Sequence, residues 1–182
     1  GRDRQDATAL ELSDVDIILR NRLHQHDLRV DASPPAEWGE RFALMGHFQR
    51  GLLSTHPGRF ADWRGQAYAW FPQVDVSALR QHLRLGADLL SGRGRLRLWS
   101  DFAEGAWTGG AVDMDLQTVS VRLAPELQAL GFRQLSGRVS GRQTGRGWSV
   151  ASQQLLFETA EGLQWPGGNV SVNYRQAQGL EP

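Results

Sequence analysis

The sequence predicts a mainly β protein: an extended, curved antiparallel sheet of long bulged strands with one or two short helices. Three observations carry this. Between Gly92 and Ala124, Leu96, Leu98 and Phe102 share one parity and Arg95, Arg97 and Asp101 the other. After Glu104-Gly105, Val112, Met114 and Leu116 alternate with Asp113, Asp115 and Gln117. A period of two is that of a half-buried strand, and two such runs around a short glycine-containing break make a long antiparallel hairpin. The second observation is a slip of parity after Leu116, because the next apolar positions are Val119, Val121 and Leu123. A β-bulge near Gln117-Thr118 accommodates such a slip by re-aiming the strand. The third is composition, since 21 glycines and 7 tryptophans in 182 residues supply the turns and large aromatics of a sheet-rich chain.

The remaining elements follow in order. From Ala9 to Asn21, Leu10 and Leu12 hold one parity and Val15, Ile17 and Leu19 the other, repeating the slip. Val150, Ser152, Leu155 and Phe157 give a weaker third copy, with Ser152 its imperfect member. Iteration of one strand plan and chance bulging in an antiparallel protein both account for this pattern. His26 to Ala32 alternates through Leu28 and Val30 until Pro34-Pro35 stops the ladder. Phe42 to Phe48 is the next strand, Arg50 to Trp63 a loop, and Gly65 to Phe71 another strand. A short helix is expected over Ser77 to Leu85, with Asp75 or Ser77 accepting first-turn N–H groups and Gly86 past its end. Pro125 to Leu130 has the signals of a further helical turn, with Gly131 beyond it. Phe132 to Gly141, Gly147 to Thr159 and Asn169 to Arg175 close the chain as strands.

Charge and composition exclude several classes. Acidic and basic residues balance at 20 each, so no field draws in nucleic acid or an anionic surface. All basic residues are arginine, as expected of a GC-rich genome, and there is no cysteine to form a disulfide framework. His24 and His26 lie two apart and would share a strand face, but a zinc site needs three or four ligands. Asp113 and Asp115 read better as a solvated strand face than as paired acid and base. No nucleophile elbow, phosphate-cradling loop or dinucleotide fingerprint occurs. Arg138, Arg142 and Arg146 with Trp148 are a minor candidate for a nucleic-acid surface. No enzyme, cofactor or metal is therefore expected. No run approaches a membrane span, no signal peptide precedes the opening GRDRQDATALEL, and residues 1–182 are expected to be one segment of a longer protein.

Four stretches, SPPAEWGERF from Ser33, HPGRFADWRGQAYAWFPQVDVSALRQHL from His56, SGRGRLRLW from Ser91 and GLQWPGGNVSV from Gly162, resemble the central periplasmic region of the YhdP family of AsmA-like proteins. The resemblance runs from about Ala9 to Asn173. It implies a segment of an inner-membrane-anchored periplasmic protein of Gram-negative bacteria that conducts phospholipid toward the outer membrane along an apolar β groove. It implies too a role in the outer-membrane permeability barrier, with phospholipid and the two membranes as partners, the membranes reached through other parts of the parent. The apolar parity then nominates Leu96, Leu98, Val112, Met114, Leu116, Val119, Val121 and Leu123 as groove wall, unless these residues pack as an ordinary core against the Ser77 helix or a second sheet. The alternative function is a scaffolding β module that binds a protein partner through a sheet edge.

Overall fold

Alternation of this length has one low-energy outcome, a sheet in which each strand buries one face and pairs with its chain neighbour. A computed structural model describes residues 11–50, 63–80, 88–122, 126–145 and 147–175. The strands are β1 (Ser13–Asn21), β2 (Gln25–Ser33), β3 (Phe42–Arg50), β4 (Trp63–Asp75), β5 (Asp88–Ala103), β6 (Ala106–Arg122), β7 (Leu130–Thr144), β8 (Gly147–Thr159), β9 (Gln164–Pro166) and β10 (Val170–Arg175). Each strand from β1 to β8 pairs antiparallel with the next, β10 closes the path on β8, and the short β9 also pairs with β8. The sheet is a single open one, not closed into a barrel.

The β5–β6 hairpin turns at Glu104 (φ 53°) and Gly105 (φ 71°), two positive φ values that match the right-handed twist of the flanking strands. The bulge expected at Gln117-Thr118 is present: Arg93 pairs with Gln117 and Ser91 with Ser120, so β6 spends one residue more than β5. Thr118 takes φ 52° there. The other two copies of the strand plan do the same. Asp14 (φ 47°) and Gln154 (φ 51°) occupy the equivalent position, in β1 and β8, at equivalent register shifts. Facing the three bulges are Ala32, Gly92 and Gly137, all small. The recurrence of one backbone state at one place in the pattern favours iteration over chance.

Helix α1 (Val76–Arg80) follows β4 directly. Asp75 caps it, accepting the Ser77 N–H at 3.0 Å. Residues 81–85 of the expected helix lie outside the described residues. The helical turn expected at Pro125 to Leu130 is not formed in its described part: residues 126 and 127 make a turn and bend, and strand β7 already begins at Leu130. The cause is competition, since Leu130 pairs with Val121 and ladder bonds outweigh one isolated helical turn. The connection from β2 to β3 folds back on β4. There Glu40 N–H donates to the Gln73 carbonyl and Asp75 N–H to the Trp38 carbonyl. Strand β9, three residues long, has no counterpart in the sequence expectations.

Candidate functional site: the apolar face of the sheet

Residues directly opposite in an antiparallel pair share a face, so register decides which parities meet. Across nine strands one row runs Ile17, Val30, Leu44, Ala69, Leu98, Val112, Val139, Ser152 and Val170. Only Ser152 is polar. The adjacent row, Leu19, Leu28, Gly46, Ala67, Ser100, Gly110, Gly141, Val150 and Val172, is apolar or small throughout. An apolar face therefore runs from β1 to β10.

Its burial is uneven. Phe71, Val74, Val76, Leu96, Leu116 and Val119 form the buried cluster, where α1 lowers Val76 onto the sheet. Leu116 is fully buried and Val119 nearly so. Leu98, Val112, Met114 and Val121 are half-buried against this cluster. Toward both edges the face opens, with Ile17 64% and Val172 60% exposed. Of the nominated residues the structure thus gathers Leu96, Leu98, Val112, Met114, Leu116, Val119 and Val121 around one cluster, while Leu123 lies outside the described residues. Reasoning from one hairpin missed Ile17, Val30, Leu44, Ala69, Val139 and Val170. Each is visible as strand parity, but only the register aligns them.

The other face holds the cross-linked charges, beside Ile18, Met45, Tyr68 and Trp99. Arg95 donates to Asp115 at 2.9 Å, Arg138 grips Asp113 with two N–H groups, and Gln66 donates to Asp101 at 3.0 Å. Arg97 lies 4.3 Å from the Trp70 ring centre and Arg138 5.0 Å from that of Trp99. The hydrogen bond from Arg138, against an opposing cost of partial burial, holds the Asp113 carboxyl below the usual carboxylate range. Burial pushes Asp75 up, but bonds from Ser77 and Arg93 bring it lower overall. A cleft of about 600 Å³ lies on this side, lined in part by Arg20, Asp27, His47, Tyr68 and Trp99. Its carboxylates are engaged, Asp27 by His47 and Asp101 by Gln66, so no free acid and base face each other there.

Two expectations are corrected. His24 and His26 do not share a strand face, because the chain turns at residues 23 and 24 and only His26 lies on β2, bonded to Asn21 and stacked 4.9 Å from Trp63. Among the described residues no three potential ligands could hold a metal ion. Arg138 and Arg142 do not join Trp148 either. Arg142 pairs with Ser149, so Trp148 points to the other face, where it stacks on Trp107 at 5.2 Å. Arg146 lies outside the described residues.

Fold and face define a class: an open single-layer β sheet, apolar on one side and ion-paired on the other, with no catalytic set assembled among the described residues. The chain matches the family model described as YhdP protein over residues 3–181 and belongs to the YhdP family. That is not a known enzyme family, and membership fits a protein of the lipid-transport type. No curated protein and no solved structure matches the chain. Among the described residues no helix is long and apolar enough to cross a membrane.

Proposed function

We propose that this chain is a non-enzymatic segment of an inner-membrane-anchored periplasmic protein that conducts phospholipid toward the outer membrane along the apolar face, supporting the permeability barrier. One observation carries the reading: the edge-to-edge row from Ile17 to Val170, interrupted only by Ser152. Conduction requires shelter for acyl chains at every step, worth about 0.8 kcal/mol per buried methylene, and needs no bond making. In this reading Leu98, Val112, Met114 and Val121 touch lipid, Leu96, Leu116 and Val119 support them beneath α1, and Leu123 continues the parity.

The test uses the intact protein extracted in mild detergent. Phospholipid should co-purify and be detected by mass spectrometry, and a Val112→Asp, Met114→Asp double variant should lose most of it and weaken the outer-membrane barrier in cells. Normal lipid content and an intact barrier in a folded double variant would sink the reading.

A further inference from the structure

The two ends of the strands differ, on the apolar face and in charge. At the end where β3, β5 and β7 finish and β4, β6 and β8 begin, the apolar face carries aromatics: His26 stacks on Trp63, Phe48 packs 6.5 Å from Trp63 and 6.2 Å from Phe102, and Phe102 pairs with Trp107. Trp107 in turn stacks on Trp148, which pairs with Tyr174. The belt thus runs from β2 to β10. Next to it inward lies an in-register trough of small residues, Gly46, Ala67, Ser100, Gly110 and Gly141. Beyond the trough the face is aliphatic as far as the cluster under α1, in and around which Phe42 stacks on Phe71 and Phe132 meets Phe157, itself stacked on Trp165.

Charge follows the same axis. At the aromatic end the charges nearly balance, with Arg22 in the turn after β1 and Arg20, Arg64 and Arg142 on the polar face within three residues of a strand end, against Asp27, Asp101 and Glu104. Acids dominate the opposite end, among them Glu37, Glu40, Asp75, Glu158 and Glu161. Amphipathic Trp and Tyr rings settle where hydrocarbon meets water, and the acidic opposite end disfavours an anionic phosphate.

Resting on the conduction reading, we infer that the aromatic rim is the headgroup rail: phosphate and glycerol of each lipid travel along it, and acyl chains lie across the strands toward α1. The lengths agree. Half of a bilayer core is about 15 Å, or about five residues of strand at about 3.3 Å each. From Trp107 that reaches Val112 and stops short of the closed cluster at Leu116.

Photo-crosslinking of the unmodified intact protein tests this with two phospholipid probes, one with a diazirine beside the glycerol and one with a diazirine at the acyl terminus. The glycerol-side probe should label peptides holding Trp63, Trp107 and Trp148 at least threefold over those holding Leu98, Val112 and Met114, and the chain-end probe should show the reverse preference. Equal labelling by both probes, or the inverted order, overturns the rail while leaving conduction standing. Labelling of neither region by either probe overturns conduction and the rail together.

Discussion

A left-handed backbone crowds a β-branched side chain, yet Thr118 holds φ 52° at the point where β6 gains its extra residue. The bulge is retained because Leu116 and Val119 are both buried only if parity slips between them. Thr118→Gly removes the crowding at some cost in chain entropy, so it is expected to be neutral or to stabilise by up to about 1 kcal/mol, measured by urea unfolding. Gly94→Ala is the opposite case. At φ 149° an added Cβ would sit 2.0 Å from the Asp115 carbonyl oxygen, and the variant should unfold at markedly lower denaturant. Asp113 and Asp75 give the pH dependence. Their folded pKa values are lowered, so their contribution is complete above the unfolded carboxylate value near 4 and is lost as pH falls through the folded ones. Stability should therefore fall on acidification below about pH 4, and Asp113→Asn should flatten that fall.

At the scale of elements, α1 divides the apolar face into a closed part and an open part. Five residues cannot hold a helix alone; Asp75 caps it and Val76, fully buried, anchors it. Leu116→Ala beneath it is expected to cost about 2–5 kcal/mol by denaturant unfolding. Leu44→Ser, on the open part at 37% exposure, should cost about 1–2 kcal/mol, less than Leu116→Ala, yet reduce co-purifying lipid. A side chain held for packing loses stability and one held for a ligand loses binding, so this pair separates the two roles of the face.

At the scale of the molecule, the apolar face stays open at both edges of the sheet. Ile17, Leu19, Val172 and Tyr174 are each at least 60% exposed on the two outer strands. The native protein should bind a hydrophobic dye such as ANS strongly, and short-chain phospholipid should displace it. Weak dye binding by the folded protein would mean that the face is covered in solution.

The strands and the β5–β6 turn were legible in the sequence because each rests on local chemistry: alternation, proline stops and a Glu-Gly turn. The bulge at Thr118 was legible too, since a parity slip has few backbone solutions. The absence of a helical turn in the described residues before Leu130 and the pairing of β9 were not, because ladder partners distant in sequence outweigh weak local preference. The family was readable in runs such as SGRGRLRLW, and the match over residues 3–181 bears it out. By itself the sequence determined a two-faced antiparallel sheet with bulges at set places. Only the tertiary structure decided that the apolar parities of nine strands line up in one row, that α1 closes the face beside that row, and that Trp63, Trp107 and Trp148 gather at one rim, because register and the landing place of a helix are fixed by contacts between strands, not within them.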